Sequence, residues 1–289
     1  MGFFYAILHS VVIFMQMHQR LFIYKHSPVS YYRYGNGPEF MVAFHGYGQS
    51  GVDFAYFEEA LGNKLTIIAI DFFWHGQSKW LEAQDFSELD MRSIVIGIAK
   101  QERIFARKFM ICSFSMGARM ARALVRTFPE RITRVIFISP PTANFSRFLN
   151  FTVGTRLGLA LFNYFLDHNQ SLLWWVDSLY KCKILNRSVK IFTSKFIARQ
   201  DRLRNVYQTW FAQRKLRTNF RTFARIVDAH GIEVVLIAGK NDHITPPKQN
   251  IRYVKKLKKR RVFITNQKHQ LQSPQVLHIL KKLFIHKIQ

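Results

Sequence analysis

The segment Ile111-Cys112-Ser113-Phe114-Ser115-Met116-Gly117 places a serine between a short apolar run and a helical stripe, with small residues two positions to either side. Such a turn must be sharp and strained to lift Oγ out of a sheet, and a bulky flank would strike the neighbouring strand or helix. In the G-x-S-x-G pattern of such turns the first glycine is Ser113 here, small enough to be tolerated, and the second is Gly117. A serine hydroxyl is a poor nucleophile until a base takes its proton. Two downstream groups can supply that chemistry: Asp242, in Gly239-Lys-Asn-Asp242-His-Ile-Thr-Pro246, and His269, in Thr265-Asn-Gln-Lys-His269. Each follows a short apolar run, so each falls on a loop at the carboxyl end of an expected strand, where open α/β sheets bind ligands. There His269 would take the Ser115 proton and return it to a leaving group, while Asp242 would fix the imidazole tautomer and stabilise the imidazolium. Negative charge developing on a substrate oxygen also needs donors. The run at 40–44 ends in His45-Gly46-Tyr47-Gly48, which makes the backbone N–H groups of Tyr47 and Met116 the candidate pair, each typically worth ~3 kcal/mol in the transition state. His45 itself is expected to be scaffold.

The elements that must position these groups are short and apolar. Residues 40–44, 65–70, 109–113, 135–139, 234–238 and 262–265 read as strands, and their lack of alternation suits parallel strands buried on both faces. Residues 22–24 and 30–34 read as a hairpin at the entry edge. Between strands, Asp85-Phe-Ser-Glu88 has the form of a capping box opening a helix through about Phe105. Ala121, Leu124, Val125 and Phe128 make one helical stripe, ended by Pro129. The pattern is an α/β fold, a mostly parallel central sheet flanked by helices. From residue 142 to 230 it changes to aromatic- and arginine-rich helical segments at 157–166, 172–180 and 206–216, read as an inserted helical cap. The expected division is an apolar extension at 1–20, a first core part at 21–141, the cap at 142–230 and a second core part at 231–289. Trp174 and Trp175 in the cap, and Arg119 four residues after Ser115, are candidates for substrate contact.

The chain's 289 residues suit one large α/β domain with an insertion. A hydrophobic content of 48%, including 28 phenylalanines, excludes global disorder. The two cysteines, Cys112 and Cys182, form no Cys/His cluster, so a structural zinc site and a disulfide framework are not expected. That usage fits a reducing, cytoplasmic compartment, and no metal or organic cofactor is implied. The apolar stretch at 1–17 is interrupted by His9 and Ser10, too short for a span, and lacks the features of a secretory signal. It reads as an interfacial anchor or as sequence upstream of a start at Met15 or Met17. The net charge of +26 promises a surface that attracts anions, and 15 basic against 4 acidic residues fall within 142–230. Eight basic residues and no acidic one occupy 248–261; this run reads as the solvated outer face of a helix whose Ile251 and Val254 point inward. No recognised nucleic-acid motif accompanies the charge, which argues against that partner. A polybasic surface and an apolar leader together supply two anchoring signals for a peripheral membrane role.

With these residues in view the chain resembles the alpha/beta hydrolase superfamily from about Leu21 to its C-terminus. Four landmarks carry the resemblance in order: His45-Gly46; Asp71-Phe-Phe-Trp-His75-Gly-Gln-Ser78, with Trp74 in a glycine slot; the turn at Ser115; and the helix exit at Phe128-Pro-Glu-Arg131. The resemblance implies the fold and the order Ser115, Asp242, His269. It also discounts haloalkane dehalogenases and epoxide hydrolases, which carry an aspartate where this chain has Ser115. Arg119 is similar to the arginine of the Ser-x-Gly-Gly-Arg motif in the menaquinone-pathway synthase branch, with Ala118 in place of the second glycine. The bland alternative for Arg119 is a solvent-facing side chain or a cap for a neighbouring acid. The expectation is a serine hydrolase acting through an acyl-enzyme on an ester or thioester of a small hydrophobic acid, the substrate itself open to carrying negative charge. The rivals are a carbon–carbon hydrolase or lyase on a carboxylated substrate, and a non-catalytic descendant that binds a ligand or partner.

Overall fold

The apolar runs form one eight-stranded sheet in the order β1-β2-β4-β3-β5-β6-β7-β8 in the computed structural model, which describes residues 18–105, 108–141, 143–185, 187–196, 200–216 and 219–285. The strands are β1 (Gln19–Tyr24), β2 (Ser27–Tyr34), β3 (Glu39–Phe44), β4 (Leu65–Ile70), β5 (Phe109–Phe114), β6 (Ile132–Ile138), β7 (Glu233–Gly239) and β8 (Arg260–Thr265). The β1–β2 hairpin and the β2–β4 pair are antiparallel, and every pairing from β4 through β3 to β8 is parallel. The leader at 1–17, with Met15 and Met17, lies outside the described residues. Among the described residues no helix is long and apolar enough to cross a membrane.

Burial explains why the central strands do not alternate. Every position of β4 and β5 is buried, because side chains leaving opposite faces meet separate layers. Phe40, Val42 and Phe44 join one core with α2 (Glu88–Gln101) and α3 (Ala118–Thr127). Met41 and Ala43 join the other with the 3-10 turn Gly51–Phe57, the one-turn helix α1 (Glu58–Leu61), and the C-terminal helix α11 (Pro274–Ile285). Each fully buried aliphatic or aromatic side chain contributes roughly 1.5–3 kcal/mol relative to exposure, so the two faces anchor the strands whose ends carry the site.

Between β6 and β7 run α4 (Ala143–Gly154), α5 (Arg156–Asp167), α6 (Asn169–Lys181), α7 (Arg187–Phe196), α8 (Gln200–Ala212) and α9 (Phe220–Ala229). Leu149, Val153, Phe162, Phe192, Leu203, Val206 and Trp210 give α4, α5, α7 and α8 a core of their own. Helix α9 differs from the expected grouping. Phe223 and Val227 are buried in the main core, so α9 covers the sheet beside α3 rather than belonging with the preceding helices.

Three boundaries depart from the sequence expectation for identifiable reasons. The capping box of α2 is Ser87 with Asp90, not Asp85 with Glu88, and Asp85 instead pairs with Arg214 and Lys215. That helix stops at Gln101 because Glu102 is held by Arg20, Tyr31 and Arg33 at 2.6–2.7 Å and Arg103 turns left-handed at φ +59°. Helix α8 ends at Ala212, and the carbonyls of Gln213 and Leu216 turn to accept from Arg119. The basic run at 248–261 spans α10 (Pro247–Val254) from its second residue, a turn and the start of β8, rather than one helix. Val254 is buried and Ile251 half-buried, as the inward face requires.

Candidate active site

Ser115 sits where β5 breaks into α3, with φ +47°, a left-handed conformation that L-residues avoid. The turn is possible because the next layer is thin. A Cβ on Gly117 would collide with the Phe44 carbonyl oxygen and come within 2.9 Å of the His45 carbonyl. Ser113 fills the first small slot fully buried, its hydroxyl 3.4 Å from the Ile136 carbonyl. Cys112, three residues before Ser115, is no rival nucleophile, since burial pushes its thiol up to about 12.

Strands β7 and β8 deliver the partners. His269 Nε2 lies 2.9 Å from Ser115 Oγ, and His269 Nδ1 lies 2.7 Å from Asp242 Oδ2. A carboxylate only accepts, so Nδ1 carries the proton and Nε2 is left to accept from the serine hydroxyl. Asp242 is buried, with the N–H groups of Ile244 and Thr245 donating to Oδ1 at 2.9 and 2.8 Å. Burial alone would raise its pKa, but the hydrogen bond and charge of His269 and the Thr245 donors outweigh this and hold the carboxyl below its usual value.

Thr245 is a residue that sequence reasoning missed. Its Oγ1 lies 2.8 Å from Asp242 Oδ2, 3.3 Å from His269 Nδ1 and 3.2 Å from the Ser139 carbonyl. The signal was present, because an aspartate followed three residues later by threonine is the signature of a turn closed by its own side chains. Ser139, at the end of β6, is a second non-glycine residue at φ +47°, and nothing in its sequence surroundings announced it.

The loop after β3 is braced by two histidines. His45 Nδ1 donates to the Gly46 carbonyl at 2.7 Å and Nε2 accepts from the Phe72 N–H at 3.0 Å. Desolvation and the neighbouring His75 bring its pKa down to about 3, so the ring stays neutral. His75 Nε2 accepts from the Gly48 N–H at 3.2 Å, with the two rings 4.8 Å apart. His45 therefore has the scaffold place expected of it. Asp71 fastens the same region by accepting from the Gly51 N–H at 2.6 Å. A Cβ on Gly76 would strike the Asp71 carboxylate, which accounts for glycine there. Trp74 takes the left-handed glycine slot at φ +69° with its side chain exposed.

A cavity of about 40 Å³ opens at Ser115, with Tyr47, Met116, Ile244 and Thr245 on the sheet side and Leu149, Phe192 and Trp210 on the inserted helices. At the ~10–15 Å³ of such space that one water needs, it has room for only a few waters. Arg119 also lines it, buried, but neither of the expected surface roles describes it. Its Nη atoms donate to the carbonyls of Gln213 and Leu216 and to Asn150 Oδ1. Trp174 and Trp175 stand 63% and 49% exposed, packed edge to face on each other, and neither lines this cavity.

A sheet of this order, with a serine, a histidine and an aspartate converging on its carboxyl edge, is the framework of one family. A family model for the alpha/beta hydrolase fold matches residues 40–274, and the chain belongs to that family. Among curated proteins none matches the chain. Solved structures match in fold. A thermophilic esterase from Thermogutta terrifontis superposes with a TM-score of 0.65 at 13% identity, over 92% of this chain and 97% of that one. The meta-cleavage product hydrolase of Pseudomonas fluorescens IP01 gives 0.59 at 19%, over 94% and 99%. The enol-lactonase of Burkholderia xenovorans LB400 gives 0.60 at 16%, over 92% and 98%.

Proposed function

We propose that this chain is a serine hydrolase that cleaves an ester or thioester of a small acid through an acyl-enzyme on Ser115. The observation that carries the reading is the unbroken relay from Ser115 Oγ to His269 to Asp242, at 2.9 and 2.7 Å. In the proposed cycle Oγ attacks the carbonyl carbon as its proton passes to His269 Nε2. The carbonyl oxygen becomes the oxyanion, facing the backbone N–H groups of Tyr47 and Met116, and Asp242 stabilises the imidazolium. Collapse breaks the bond to the leaving alcohol or thiol, which takes the proton from His269. Water, deprotonated by the same imidazole, then attacks the acyl-enzyme and releases the acid. The inserted helices act as a cap in this reading, because Leu149, Phe192 and Trp210 close the cavity and limit the acyl group. The carbon–carbon hydrolase reading gains no support from Arg119, whose guanidinium is already held by two carbonyls and Asn150.

The test is hydrolysis of p-nitrophenyl esters of graded acyl length. The proposal expects a preference for short acyl groups and loss of at least ~10³-fold in kcat for Ser115→Ala, His269→Ala and Asp242→Asn. Retained activity in all three variants would refute the relay.

A further inference from the structure

A second cleft, of about 770 Å³, lies on the far side of Arg119 and Pro141, both of which also line the cavity at Ser115. Its lining carries six cationic side chains, Arg119, Arg122, Arg147, Arg221, Arg225 and Lys256, against a single carboxylate, Asp228. The Arg119 Nη atoms are held by the Gln213 and Leu216 carbonyls and Asn150, so it contributes charge to the cleft rather than those donors. Asp228 is partly spoken for, since its Oδ1 accepts from the Lys258 N–H at 2.9 Å. Elsewhere the acids sit beside the bases: Glu102 takes Arg20 and Arg33, Glu233 takes Arg134 and Arg261, and Asp177 takes Lys181 and Lys190. Among the described residues no carboxylate lies within ion-pair distance of Arg122, Arg221, Arg225 or Lys256.

The arrangement is unfavourable for the empty protein. Arg221 and Arg225 stand four residues apart on α9, the spacing at which like charges repel. Arg122 is half-buried, with its Nε shielded from water and no acceptor for it, and desolvation draws its pKa down to about 10. A buried guanidinium donor without a partner is costly, and it is satisfied when an oxyanion enters. Several guanidinium groups around one opening match the tetrahedral, multiply charged phosphate better than a single carboxylate.

We propose that this cleft seats the phosphate groups of a small molecule carrying at least two phosphate charges. Resting on the hydrolase reading above, that molecule is the leaving-group end of the substrate. The reacting carbonyl then lies at Ser115 and the phosphorylated end lies beyond the wall formed by Arg119 and Pro141.

The direct test is calorimetric titration of the Ser115→Ala full-length chain with inorganic pyrophosphate, at low and at physiological salt. Saturable one-to-one binding is expected, weakened by salt and by at least ~10-fold in Arg122→Gln and in Arg225→Glu, the latter exposed and not expected to disturb folding. The Lys282→Glu control, exposed on α11 against the other core, is expected to bind as the parent does. Absence of binding, or equal weakening by Lys282→Glu, would overturn the site. Capture by phosphatidate vesicles without binding of soluble pyrophosphate would assign the charge to a lipid surface and also overturn it. The second arm compares KM for an acyl thioester whose thiol bears a nucleoside polyphosphate with KM for p-nitrophenyl butyrate. Arg225→Glu is expected to raise the ratio at least tenfold, and an unchanged ratio would sever the cleft from the substrate. Hydrolysis without pyrophosphate binding defeats this inference alone, whereas pyrophosphate binding without any hydrolysis defeats the hydrolase reading and the leaving-group role with it.

Discussion

Ser115 holds a left-handed φ of +47°, and the cost of that conformation can be isolated by comparing Ser115→Ala with Ser115→Gly. Both variants lose the 2.9 Å hydrogen bond to His269, so the pair differs only in the Cβ. A non-glycine residue in this region is strained by roughly 1–2 kcal/mol. Glycine returns ~0.4–1 kcal/mol of that by loosening the unfolded chain. The glycine variant should therefore be more stable than the alanine variant by about 0.5–1 kcal/mol. For 289 residues, an unfolding entropy of roughly 2.1 cal/mol/K per residue converts this to a Tm higher by about 1–2 °C. Urea denaturation at pH 7, read by intrinsic fluorescence, checks it through the midpoint at constant slope. If the glycine variant is equal or less stable, the turn is not strained and the structural reason for a raised, exposed Oγ fails.

Three other outcomes follow from the same geometry. Burial pushes the Asp71 carboxyl up to about 6 from 3.8. The native state therefore keeps a proton that the unfolded chain releases, and this group's contribution falls as pH rises between those values, by about 3 kcal/mol in all. Asp71→Asn should flatten that part of the urea midpoint against pH, and parallel profiles for the two proteins would contradict it. Thr245→Val keeps the shape but removes the hydroxyl 2.8 Å from Asp242; steady-state kinetics should show kcat lowered roughly tenfold with KM little changed. Gly117→Ala drives a methyl into the Phe44 carbonyl, and the cost should be ~1–3 kcal/mol by denaturation, with a fall in kcat because the displaced backbone carries the Tyr47 loop.

The sheet and the relay were legible for one physical reason. Strands buried on both faces, β5 and β7 among them, leave short unbroken apolar runs; Ser115 follows the first at once and Asp242 lies three residues after the second, while His269 lies four residues after the half-exposed edge strand β8. What stayed hidden depends on partners far away in the chain. Arg119 could be read as solvent-facing or acid-capping because its acceptors, Gln213 and Leu216, lie 94 and 97 positions further on. The same contact ends α8 early, which local helical periodicity over 206–216 has no means of announcing. Asp85 looked like a cap until Arg214, 129 residues away, took its carboxylate. Trp174 and Trp175 had pocket-like chemistry, but a helix with one solvent face can carry aromatics outward, as α6 does. Thr245 was within reach of local reasoning, since its contact with Asp242 spans three residues.

The central claim is that Ser115 is an activated nucleophile. Incubation of the purified, folded chain with a fluorophosphonate probe, followed by intact mass and peptide mapping, tests it most directly. The account predicts a single adduct on Ser115, absent from Ser115→Ala and formed far more slowly in His269→Ala. No adduct in the folded protein, or an adduct that persists in Ser115→Ala, would contradict it.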